Sequence, residues 1–77
     1  MNTIQSTQTL GTRLRLARKQ LALTQSELAL AAGVGVRFIV ELEAGKPTVR
    51  LSHVLQVIAA LGGELHLTGL LGDADGA

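Results

Sequence analysis

Residues 24–33 read TQSELALAAG, and no other stretch of this 77-residue chain restricts the fold as much. Thr24 and Glu27 have the spacing of a capping box: the threonine hydroxyl can accept from the amide three residues on, while the glutamate reaches back to the threonine amide. A helix therefore starts sharply at Gln25. It runs through Leu28, Ala29 and Ala32 and stops at Gly33, the residue best able to take the left-handed backbone at a helix end. The next helical pattern begins only one or two residues later, so the two helices must meet at a steep angle. The small Ala29, Ala32 and Gly33 permit that approach. The spacing predicts a helix-turn-helix unit.

The flanking sequence extends the pattern. Leu10, Leu14, Ala17 and Leu21 fall at intervals of four, three and four, one face of a helix over about 8–21 that Thr7 or Thr9 can cap. Arg15, Arg18 and Lys19 lie in its second half, where they suit the negative end of the helix dipole. Gly45 ends the third helix, Pro47 prevents its continuation, and a fourth runs over about 50–61 before Gly62 and Gly63. The stretch ELHLT at 64–68 then alternates, with Leu65 and Leu67 on one face and Glu64, His66 and Thr68 on the other, which predicts a strand. No other part of the chain offers a partner strand, so these five residues are expected to pair with their symmetry copy in a homodimer. The resulting division is a flexible N-terminus at 1–6, a helical domain at 7–62, a dimerisation strand at 63–70 and a flexible tail at 71–77.

Composition agrees with helices. Hydrophobic residues make up 47% with no Trp or Tyr and a single Phe, so the core must be built from Leu, Ala, Val and Ile. A mean hydropathy of +0.35 is high for a monomer this small and points to a subunit interface. The absence of cysteine removes disulfides, thiolate metal sites and a Cys nucleophile. The best apolar run, Val54 to Leu61, contains Gln56 and falls well short of the roughly 20 residues of a membrane span, and the N-terminus has no export signal, so a cytoplasmic location is expected. All seven cations precede residue 51, against Glu27, Glu41 and Glu43, whereas Glu64, Asp73 and Asp75 follow residue 62. That segregation gives the first part the sign suited to nucleic acid.

Residues 10–62 resemble the Xre/Cro family of helix-turn-helix regulators, whose LTQ-x-ELA, Gly turn and I-x-x-x-E-x-G pattern is matched by LTQSELALAAG and by Ile39, Glu43 and Gly45. The run RFIVELEAGKPTVRLSHVLQVIAALGGELHL is similar to HipB-like antitoxins within it. The resemblance implies an all-α, lambda-repressor-like bundle of four to five helices with a short C-terminal strand pairing across a dimer on double-stranded operator DNA. It further implies a co-encoded HipA-type kinase toxin as partner, repression of the shared operon, and no cofactor. It also implies a structural ion pair between Arg18 and Glu43, tying the first helix to the third. One departure is Gly35, where the family often has Ser or Thr; a side-chain cap and a possible phosphate contact are lost.

On a wheel at 100° per residue, Phe38, Ile39 and Leu42 face inward, while Val36, Arg37, Val40, Glu41 and Ala44 face out. Arg37 can donate to guanine, Glu41 can accept from a cytosine amine, and Val36 or Val40 can meet a thymine methyl. Alternatively, Arg37 and Glu41, at i and i+4, only pair on a solvated surface. Gln25 and Ser26 flank the free amides that begin the second helix and can bond a phosphate oxygen. Gly35 lies at the start of the third helix on the same face, and Lys46, Thr48 and Arg50 follow that helix, placed to grip the flanking backbone. Dimerisation falls to Glu64, Leu65, His66, Leu67 and Thr68. Arg13 and Arg15 are expected to be solvated, and His53 and His66 to be surface or interface residues.

Enzyme chemistry is not supported: no Cys, no glycine-rich loop between strand and helix, and no His with acid support are present. A solitary regulator without a toxin, or a protein-only adaptor, would share the fold.

Overall fold

The computed structural model describes residues 3–71, which form four helices: α1 (Thr7–Gln20), α2 (Gln25–Ala32), α3 (Val36–Glu43) and α4 (Leu51–Ala60). The capping box at the start of α2 is complete. Glu27 N donates to Thr24 Oγ1 at 3.0 Å and Thr24 N to Glu27 Oε1 at 2.8 Å. At the start of α1 the cap is Ser6, whose hydroxyl accepts from Thr9 N at 3.0 Å. The sequence expectation of Thr7 or Thr9 is thereby corrected: the Thr7 hydroxyl is used elsewhere, donating to the Gly45 carbonyl at 2.8 Å.

All four helices end in a similar way. A residue at the C-cap or just after it takes positive φ, and amides there bond back to carbonyls of the last turn. In α2 that residue is Gly33 (φ 73°), with Gly33 N donating to Leu30 O at 3.3 Å and Val34 N to Ala29 O at 3.0 Å. Gly45 and Gly62 serve α3 and α4, but α1 closes on Ala22 at φ 57°, the one non-glycine residue with positive φ among the described residues. Its side chain costs about 1–2 kcal/mol there, a cost offset by the hydrogen bonds that close the turn.

The core is Leu14 from α1, Leu28, Ala29 and Ala32 from α2, Ile39 and Leu42 from α3, and Val54, Val57 and Ile58 from α4. Leu28, Ile39, Leu42 and Val57 are fully buried, and each such side chain contributes about 1.5–3 kcal/mol by leaving water. Phe38 is half-buried and meets the His53 ring edge-on at 5.2 Å between centroids, so His53 packs between α3 and α4. Gln56 of α4 donates to the Ala32 carbonyl at 3.0 Å and so holds the end of α2.

Gly11 fixes how α1 sits. A Cβ at this buried position would come within 2.8 Å of the Glu43 carbonyl oxygen and closer still to that of Leu42. The helix thus lies against the last turn of α3 at backbone distance. Leu21, expected on the apolar face, is instead 52% exposed, because α1 ends at Gln20 and the chain turns away there.

The C-terminal expectation also differs. Residues 64–68 form no strand, and no strand occurs among the described residues. A lone strand in a single chain has no ladder to complete, so its backbone groups stay with solvent. The alternation survives in part: His66 Nε2 lies 3.4 Å from Glu64 Oε2, while Leu65 and Leu67 are 52% and 70% exposed. Residues 72–77 of the expected flexible tail, and residues 1–2, lie outside the described residues.

Candidate nucleic-acid interface

Two helices meeting through Gly33 to Gly35 leave α3 projecting one side outward. Ile39 and Leu42 anchor it in the core, and its outer side carries Val36, Arg37, Val40 and Glu41. Val36 and Val40 are exposed, as apolar contacts for a base methyl would have to be. Gly35 is the N-cap of α3 and makes no side-chain cap bond, and nothing lies within 4 Å of where its Cβ would be. The turn is open, so close approach by another backbone is unobstructed.

The charges on this face are not independent. Glu41 Oε2 lies 3.4 Å from Arg37 Nε and 3.3 Å from Lys46 Nζ. Lys46, more than Arg37, holds the Glu41 carboxyl below the usual carboxylate range, by hydrogen bonding first and by charge, with partial burial opposing. The i, i+4 pairing considered from sequence is thus formed, and Lys46 joins it from the following loop. Thr48 is exposed, and the exposed Arg50 is the N-cap of α4.

Behind the outer face lies a second group of charges. Arg18 Nε donates to Glu43 Oε2 at 2.6 Å and Nη2 to Oε1 at 3.0 Å, with side-chain exposures of only 9% and 4%. The third guanidinium donor, Nη1, reaches the Leu23 carbonyl at 2.8 Å. Hydrogen bonding to Glu43 raises the Arg18 pKa above its ordinary value; burial works against the shift and the attraction to Glu43 adds to it. The bidentate pair joins α1 to the end of α3, the tie given by the family resemblance, and the Nη1 bond adds the 21–24 loop to it. Among the described residues no buried side-chain polar atom is left without a partner.

Gln25 belongs to both groups. Its Nε2 donates to Glu43 Oε1 at 3.2 Å, so the side chain expected to reach a phosphate is held inward at its tip. Ser26 remains exposed, and the first amides of α2 have no acceptor within the helix. Arg15 is exposed, as expected, and also borders an open groove of about 300 Å³ with Gln25, Val40, Glu43 and Ala44. It stands three residues before Arg18, on the same side of α1, and that i, i+3 relation was the signal available in the sequence. Residues 64–68 stand apart from this face; Leu65 lines a separate apolar groove of about 230 Å³ with Ile4, Leu10, Leu14, Ile58 and Leu61. No helix among the described residues is long and apolar enough to cross a membrane.

Comparison with known proteins agrees with this geometry. The helix-turn-helix family HTH_3 matches residues 14–67. An uncharacterized HTH-type transcriptional regulator, y4mF, of Sinorhizobium fredii (strain NBRC 101917 / NGR234) is 57% identical over 53 residues, covering 69% of this chain and 70% of that protein. Among solved structures, a chain of the HipA-HipB-O2-O3 complex is similar with a TM-score of 0.82 and 26% identity, over 90% of this chain and 97% of that one. A chain of a HipB-O4 20mer complex gives the same TM-score, identity and coverage. This chain belongs to the helix-turn-helix family, as a HipB-like, Xre-type DNA-binding transcriptional regulator rather than an enzyme.

Proposed function

We propose that the chain is a dimeric repressor that reads a palindromic operator with α3 and serves as the antitoxin of a HipA-type toxin, silencing the operon that encodes both. The observation that carries this reading is the extent of the likeness. It covers 90% of the chain, beyond the helix-turn-helix unit, and the proteins concerned were solved with HipA and with a 20mer. In this reading Arg37 donates to a guanine, Glu41 accepts from a base amine, and Val36 and Val40 lie against thymine methyls beside the bare turn at Gly35. The amides of Gln25 and Ser26 bond one phosphate, and Lys46, Thr48 and Arg50 hold the flanking backbone. Residues 64–68 supply the dimer contact, with Leu65 and Leu67 turned to the partner copy.

Arg37→Ala tests the reading face. Binding to the operator weakens by about 1–3 kcal/mol while binding to unrelated duplex changes less. Equal losses on both would make Arg37 a backbone contact. The antitoxin half is tested by co-expression with the adjacent open reading frame; a kinase-like product that fails to co-elute with the repressor removes it. The plain description of the Sinorhizobium fredii relative as an HTH-type regulator supports a second reading, a solitary regulator, and a gene neighbourhood without a kinase-like frame would favour it.

A further inference from the structure

Of the two acids in α3, Glu43 is consumed inside the fold by Arg18 and Gln25, which leaves Glu41 as the single carboxylate on the helix's outer side. One oxygen of that carboxylate serves both Arg37 and Lys46, the cations best placed for base and backbone. Phosphates near this face therefore compete with Glu41 for two cations and meet a like charge beside them. A carboxylate released from its cations regains a partner only where a base edge presents an amine, as cytosine N4 does in the major groove.

We propose that Glu41 is a specificity-determining residue that acts by ion-pair exchange: it withholds Arg37 and Lys46 from arbitrary DNA and releases them where a base amine takes up its carboxylate. The proposal rests on the reading of α3 as the DNA-contacting helix. In the free protein the Arg37–Glu41–Lys46 group is closed. On arbitrary sequence, opening it strands a carboxylate against the phosphate backbone, so one or both cations stay bound to Glu41. At a matched base pair three interactions form together, two from the cations and one from the acid. Discrimination then comes mainly from weakened binding to wrong sequences.

The test compares the full chain with Glu41→Gln, which keeps an acceptor of nearly the same shape but removes the charge. The two probes are the duplex that the unaltered protein selects from a random-sequence pool and the unselected pool itself. Freeing one cation per subunit raises pool affinity roughly fivefold per subunit near 0.15 M salt and steepens the salt slope by about 0.9 for each additional phosphate neutralised. Affinity for the selected duplex stays level or falls, so the ratio between the probes drops at least roughly fivefold. Glu41→Ala should raise pool binding in the same way, which separates the charge from hydrogen bonds of the glutamine. Unchanged pool binding in both variants overturns the proposal, as does an equal rise on both probes, which would make Glu41 a general repulsive charge. Failure of the underlying reading looks different: the unaltered protein would then select no duplex and show no salt-dependent binding.

Discussion

Glu43→Ala should remove a large share of this domain's stability without altering the outer side of α3. The carboxylate is only 4% exposed and accepts from Arg18 twice and from Gln25 once. Removing it leaves a guanidinium at 9% exposure with only the Leu23 carbonyl as partner. Breaking a buried pair from one side costs about 3–5 kcal/mol, chiefly for the stranded charge. A chain of this length has roughly 4–12 kcal/mol in total, so the loss is about a quarter or more of it, and the melting temperature should fall by roughly 12–40 °C. Arg18→Ala should cost a similar amount. The double variant Arg18→Met, Glu43→Leu strands no charge and should melt far closer to the parent than either single variant. The measurement is thermal unfolding by circular dichroism at one fixed protein concentration, since self-association would shift the midpoint with concentration. Single losses below about 1 kcal/mol, or a double variant less stable than both singles, would refute the claim that this pair clamps α1 to α3.

Three further outcomes are expected. Gly11→Ala places a methyl against the carbonyls of Leu42 and Glu43, which are backbone and cannot rotate aside, so it should destabilise by about 1–3 kcal/mol or more in denaturant titration, although alanine is the better helix former. Ala22→Gly should stabilise by about 0.5–1 kcal/mol by the same measurement, because it relieves the one side chain held at positive φ at a helix end; the added freedom of the unfolded glycine offsets part of the gain. Lys46→Ala should raise the Glu41 carboxyl titration, followed by NMR, towards the ordinary carboxylate value, since Lys46 is the main cause of its depression. Because the folded value is the lower one, the stability Glu41 confers is complete above the unfolded value of about 4.3 and is lost as pH falls through the folded value; an unmoved midpoint in the variant would show that Lys46 does not hold the acid in solution.

What could be read from sequence was local. The capping box, the stop at Gly33 and the inward arc of α3 each involve residues within four positions of one another, and all three are found as read. What could not be read depends on how helices cross. Gly11 looks like a weak point inside a helical run until α1 is laid against α3. Leu21 counts as core by periodicity and is exposed because the helix ends one residue earlier. Gln25 is well placed for a phosphate by its position at the start of α2, yet its tip bonds to an acid 18 residues away. The Arg18–Glu43 pair spans 25 residues, and it was the family pattern, not the spacing, that suggested it. Residues 64–68 show the converse case: their alternation is legible in the sequence, yet they form no strand among the described residues.

Glu41 and Glu43 show how one residue type acquires opposite duties two positions apart. A displacement of two residues turns a helical side chain by about 200°, so one acid must face out if the other faces in. Inward, Glu43 meets a bidentate guanidinium and an amide, and with both oxygens partnered it fixes α1 against α3. Outward, Glu41 meets two cations that solvent also reaches, at 3.3 and 3.4 Å, so its pairs are weak enough to exchange. A rigid pair on the outer side would withhold Arg37 and Lys46 from any duplex, and an exchangeable pair on the inner side would let α3 shift against its frame. If the outer side of α3 meets DNA as proposed, the helix requires the stronger pair where it is held and the weaker one on that outer side, and the two acids are paired in that order.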